Sequence, residues 1–198
     1  MRILHYSLGL YPYRTGGMNK YATDLMLEQA KSHQVALIYP DGCSIWHKKC
    51  KVIYNSTQNG IRLYRLVNAH PVPLLYGIRK PGDFIRSEIS IDSLDCFYNE
   101  FKPEVVHLHT LMGLPQGVLA FFKEKGVKVV FTSHDYFGIC PRVNFINNQG
   151  VLCDGANPEK CARCNENAPT TLFLRIRNSA LVLKSRDFLR WLKNIRSC

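Results

Sequence analysis

The chain of 198 residues contains no apolar run approaching the roughly 20 consecutive residues that a membrane-crossing helix requires. It also lacks the opening of a secretory leader. Met1-Arg2 runs straight into Ile3-Leu4-His5-Tyr6, with no extended apolar segment and no small-residue cleavage site. These absences set the expectation of a cytoplasmic protein whose thiols stay reduced, so its eight cysteines are not expected to form a disulfide framework. No internal repeat and no low-complexity tract is present, which sets aside solenoids and disordered chains. Acidic residues are scarce: 15 Asp and Glu face 26 Lys and Arg, for a net charge of +11. That balance points to anionic partners such as phosphates, nucleic acid, acidic lipid or acidic glycan, although a solvated basic helix face has the same composition.

The composition is otherwise that of a folded domain. Hydrophobic residues make up 46% and charged residues 21%, and the length suits one α/β domain with a small appendage. Ile3 to Ser7 reads as a first strand. Next come a loop with Gly9, Pro12, Gly16 and Gly17, a helix from Gly17 to Lys31 with Met18, Tyr21, Ala22 and Leu25 at helical spacing, and a strand from Gln34 to Tyr39. Strand, glycine loop, helix, strand is the opening unit of a doubly wound sheet. Lys51 to Tyr54 and Ile61 to Val67 read as strands around a polar turn, Asn55 to Gly60. Phe84, Ile91, Leu94, Tyr98 and Phe101 follow helical spacing. Val105 to His109 and Lys128 to Thr132 read as strands, separated by a helix marked by Leu114, Val118 and Phe122. Together these elements predict an open, mostly parallel α/β sheet with helices on both faces. Domain-like order covers 1–139, a cysteine-rich loop 140–168, and a basic amphipathic helix 169–198 with Ile176, Ala180, Leu183 and Trp191 on its apolar face. From Pro169 onward seven basic residues oppose Asp187 alone, a net +6.

Three groups of residues could carry chemistry. Gly16-Gly17 at a helix start lets backbone N–H groups approach an anion, although G-x-G-x-x-G is absent and a plain turn explains a glycine pair equally well. His107 and His109 share one face of a strand, and His134-Asp135 begins the loop after the last strand. Ligands of open α/β sheets bind beyond the carboxyl ends of the strands. Neutral imidazole there can bind hydroxyls or act as acid or base; a buried, satisfied histidine is the alternative. Cys140, Cys153, Cys161 and Cys164 cluster, with Cys161 and Cys164 in C-x-x-C spacing. They form a candidate structural zinc site, with unligated thiols or a redox pair as the alternatives.

The ordered pieces MRILHYSLGLYPYRTGGMNKYATDLMLEQAKSHQVALIYP, KPEVVHLHT and KVVFTSHDYFGICPR resemble the amino-terminal, acceptor-side domain of family 4 glycosyltransferases. The CPR…C…C-x-x-C stretch is similar to an insertion in some members. The resemblance implies a Rossmann-like half of a GT-B fold and retaining transfer from a nucleotide-sugar to a glycan or lipid-linked acceptor, with no cofactor required. It implies that Gly16 and Gly17 lie near the donor diphosphate, that His134, followed by Asp135, contacts the transferred sugar, and that the acceptor lies near His109. The family's donor pocket, with its basic pair and paired glutamates, has no counterpart here. The expectation is therefore a chain inactive without a donor-binding half, docked through its basic tail on anionic membrane. Two other readings stand beside it: a zinc-stabilised basic module for nucleic acid, and a degenerate half kept as an interaction subunit. Nucleic acid fits poorly, because only Tyr136, Phe137 and Phe145 flank the cysteine segment and its local charge is near neutral.

Overall fold

A computed structural model describes residues 1–43, 49–84, 89–179 and 182. Six strands form one sheet. They are β1 (Arg2–Tyr6), β2 (Gln34–Asp41), β3 (Lys51–Gln58), β4 (Ile61–Val67), β5 (Val105–Leu108) and β6 (Lys128–Phe131), in the order β3-β4-β2-β1-β5-β6. β4, β2, β1, β5 and β6 run parallel, and β3 is antiparallel to β4. The strands expected at Ile3, Gln34, Val105 and Lys128 are thus parallel neighbours.

Strand alternation divides the core into two layers. Val35, Leu37, Ile61 and Leu63 pack with Ala22 and Met26 of α1 (Gly17–Gln29) on one face. Leu4, Tyr6, Ala36, Ile38, Tyr64, Leu66, Val106 and Leu108 pack on the other with Leu94, Phe97 and Phe101 of α2 (Ile91–Phe101) and Val118, Phe121 and Phe122 of α3 (Gln116–Glu124). The chain leaves β1 toward β2 on one side and returns to β5 on the other. The order therefore reverses between β1 and β5, which is where open α/β sheets form their ligand crevice.

Some elements differ from the expectation. The turn between β3 and β4 is not Asn55 to Gly60. It is the two residues Asn59 and Gly60, both at positive φ (51° and 79°), as a tight hairpin with the right-handed strand twist demands. Residues 55–58 continue β3 as a polar edge whose side chains are exposed or half-buried. Phe84 lies in a 3₁₀ turn (Pro81–Phe84) rather than on the following helix. On α1 the buried residues are Asn19, Ala22, Thr23 and Met26, whereas Tyr21 is exposed. The face is rotated partly because the Thr23 hydroxyl is used inside, accepting from the Tyr11 backbone N–H.

The cysteine segment holds its shape through asparagine side chains. Asn144 Oδ1 accepts from Ile146 N, Asn147 Oδ1 from Gln149 N and Val151 N, and Asn157 Oδ1 caps α4 (Pro158–Cys164) through Glu159 N and Lys160 N. Asn165 Oδ1 accepts from Ile78 N at 3.2 Å, tying the segment to the domain. Helix α5 (Thr171–Arg177) buries Leu174 against Ile78 and Phe84, not Ile176, which is exposed. Ala180, Leu183 and Trp191 of the expected tail helix lie outside the described residues.

Candidate functional site

The site begins with four histidines and one helix. His5 on β1 and His107 on β5 are register partners, and both point to the α1 face. There they replace the aliphatic residues that this face carries elsewhere. His109 follows one residue beyond β5, and His134 comes three residues beyond β6. α1 lies across them. Tyr21, one turn into the helix, packs edge-on against His134 with centroids 4.9 Å apart, and against His109 at 5.9 Å.

The rings are linked through their nitrogens. His134 Nε2 lies 3.4 Å from His109 Nδ1, His109 Nε2 lies 3.0 Å from His5 Nδ1, and His5 Nε2 lies 2.7 Å from Gln29 Oε1. His107 stands beside the row, its Nε2 2.8 Å from Thr132 Oγ1. His5 and His109 are fully buried, while His134 is exposed. Burial, reinforced by the neighbouring imidazoles, depresses His109 to a pKa of about 3. Burial likewise holds His5 at about 4, although its bond to Gln29 opposes the shift. His107 is lowered by burial and by His134. At neutral pH the buried rings are therefore uncharged.

His5, His107 and His109 are also the one group among the described residues whose ligand atoms lie close enough together to hold a metal, within 4.8 Å of one another. Neutral imidazoles are the metal-binding form. The ring geometry, however, is that of a hydrogen bond. With planes 7° apart and centroids 5.3 Å apart, the 3.0 Å contact sets the His5 and His109 nitrogens head-on. The two nitrogens point at each other along one line, whereas a zinc ion would need both lone pairs to converge on a point about 2.0–2.1 Å away.

The expected site residues fall into three places. Gly16 and Gly17 form the start of α1. Gly16 has φ +125°, which suits glycine alone, and a Cβ on Gly17 would meet nothing within 4 Å, so the helix start is open. Tyr21 ties that opening to His134. Asp135 lies next to His134, but its Oδ1 accepts from Phe137 N at 2.9 Å and shapes the loop. His109 was expected at the ligand surface. It is fully buried with both ring nitrogens engaged, so it supports His134 from below and does not face a ligand itself.

The four clustered cysteines form the third place. Cys140, Cys153, Cys161 and Cys164 line one open cavity of about 620 Å³, and each is half-buried. As they stand, their sulfurs do not meet the mutual distance that the three imidazoles meet, and Cys153 Sγ donates to Gly155 O. Burial raises Cys43 to about 11 and Cys50 to about 12, which makes these two inert structural thiols.

Residue-by-residue reading missed Tyr21, Gln29 and the role of His5. Tyr21 and Gln29 lie eight positions apart on one helix. The available signal was that two adjacent strands placed polar imidazoles on a face otherwise aliphatic, which requires a polar partner on the covering helix.

The family model described as Glycosyltransferase Family 4 matches residues 15–149. The match runs from the glycine loop through His134 and the first clustered cysteine. No curated protein matches the chain.

Proposed function

The chain belongs to glycosyltransferase family 4, and from that membership we propose that it is the acceptor-side half of a retaining enzyme that moves a sugar from a nucleotide-sugar to a glycan or lipid-linked acceptor. In this reaction the bond between the anomeric carbon and the diphosphate oxygen breaks. A bond from that carbon to an acceptor hydroxyl forms, the hydroxyl proton is released, and the nucleoside diphosphate leaves. The observation that carries the reading is the juxtaposition across Tyr21 of an open helix start at Gly16-Gly17 with an exposed histidine, His134, beside the β1/β5 reversal. A helix start offers free N–H groups and a positive dipole end to departing diphosphate. An imidazole can hydrogen-bond sugar hydroxyls.

The diphosphate charge needs more than a few backbone donors. A second, cationic half is therefore part of the proposal, and the 198-residue chain alone should transfer little or no sugar. The test is transfer from radiolabelled UDP-, GDP- and ADP-sugars by the chain alone and by a fusion to the donor-binding half of a family 4 enzyme. Activity confined to the fusion supports the reading. Robust transfer by the chain alone overturns the division of labour.

Two accessory features belong to the same proposal. A structural zinc ion in the cysteine cavity would pin the loop beside His134, once the four sulfurs close to about 2.3 Å from it. The basic residues from Arg175 onward would hold the enzyme on anionic membrane that carries a lipid-linked acceptor.

A further inference from the structure

Only one histidine of the row, His134, reaches the surface, yet the row continues inward for three more groups. Every link uses the nitrogen that the neighbouring link leaves over: His134 Nε2 to His109 Nδ1, His109 Nε2 to His5 Nδ1, His5 Nε2 to Gln29 Oε1. A neutral imidazole has one N–H and one lone pair. A single choice at one end therefore fixes all the rings. Gln29 presents its carbonyl oxygen, which only accepts, so His5 carries its proton on Nε2 and offers the lone pair of Nδ1. His109 must then donate from Nε2 and offer Nδ1. His134 must in turn donate from Nε2, which leaves Nδ1 of its exposed ring with a lone pair and no partner among the described residues.

We infer that Gln29, His5 and His109 are positioning residues that set the tautomer of His134, so that His134 meets its ligand with an unprotonated Nδ1. The relevance to catalysis rests on the reading of His134 as a cleft residue; the tautomer itself does not. An acceptor nitrogen there selects a ligand group that donates, such as a sugar hydroxyl, and rejects a bare phosphate oxygen, which needs an N–H. The row also brings a side chain from the far end of α1 into contact with the site. Gln29 is the last residue of α1, two turns beyond Tyr21. The low pKa values of His5 and His109 support the argument, since a row of charged imidazoles would have no defined direction.

The test is the two-bond ¹H–¹⁵N correlation spectrum of the ¹⁵N-labelled 198-residue chain near pH 7.5, which reports which nitrogen of each ring is protonated. His134 is assigned by its absence in His134→Gln. In the unaltered chain His5, His109 and His134 should all show protonated Nε2 and unprotonated Nδ1. Gln29→Lys replaces the acceptor with a donor and should reverse every link, so that the two His134 ¹⁵N frequencies exchange places. Gln29→Glu keeps an acceptor and should leave them where they are. Gln29 is partly exposed, which suits both side chains, and the amide spectrum checks the fold. A protonated Nδ1 on any of the three rings in the unaltered chain overturns the inference, as does a folded Gln29→Lys with unchanged His134 frequencies. Because no turnover is measured, this result is independent of whether the chain or its fusion transfers sugar.

Discussion

Acidification should unfold this protein through its dry histidines. His5 and His109 are fully buried and titrate near 4 and 3 in the folded chain, against about 6.5 once unfolded. Between those values the unfolded chain binds protons that the folded chain refuses, so stability is complete above about 6.5 and falls as the pH drops. While the pH stays above both folded values, the loss depends only on the unfolded pKa. At pH 5 it is about 2 kcal/mol per histidine, or about 4 kcal/mol for the pair. His107, also lowered, adds to the loss with the same sign. A domain's whole stability is about 5–15 kcal/mol, so the effect is large. Urea unfolding followed by circular dichroism at pH 7.5, 6 and 5 measures it. With a slope of about 2 kcal/mol per M, the midpoint should fall by about 2 M between pH 7.5 and 5. His109→Gln should recover roughly half of that drop, because glutamine has no proton to refuse. Equal midpoints at pH 7.5 and 5 would mean that the row accepts protons in place, and the argument from burial would fail.

Three other outcomes are expected. Gly77 has φ +82°, and a Cβ there would strike Asn165 Oδ1, so Gly77→Ala should cost at least about 1–3 kcal/mol in thermal unfolding and expose 140–168 to protease. An unchanged melting temperature would refute the tie between that segment and the domain. Freshly reduced protein should carry about one zinc per chain, lost in a Cys161→Ser, Cys164→Ser double variant; well under one zinc in the unaltered chain leaves the cavity as plain thiols. Co-sedimentation should be strong with anionic vesicles, weak with neutral ones, and reduced by salt. Equal sedimentation with both lipids removes the membrane proposal.

Much of the frame was legible in the sequence. β1, β2, β5 and β6 announce themselves as short apolar runs alternating with helical spacing, and that alternation implies parallel order. The end of β3 is not legible, because Asn55, Ser56, Thr57 and Gln58 have loop composition; an edge strand tolerates polar side chains, and only the Asn-Gly pair after it marks the true turn. The span of helix α1 is legible along the chain, but its buried face is not. Met18, Tyr21 and Leu25 fit an apolar stripe, yet the helix covers imidazoles, and Asn19 and Thr23 turn inward. The histidine row was the least legible feature. Its links join positions 24, 25 and 104 residues apart, and strand alternation reveals a residue's face without naming its neighbour. His5 meets His107 and His109 only because β1 lies beside β5, which strand order decides.

The central claim is that His134 works at the mouth of a sugar-transfer cleft. The direct measurement is transfer from a radiolabelled nucleotide-sugar by the chain fused to a family 4 donor-binding half, comparing His134→Ala with the unaltered fusion. The account predicts a loss of about 10²-fold or more in turnover, with an unchanged circular dichroism spectrum. Full activity in a folded His134→Ala fusion would contradict it.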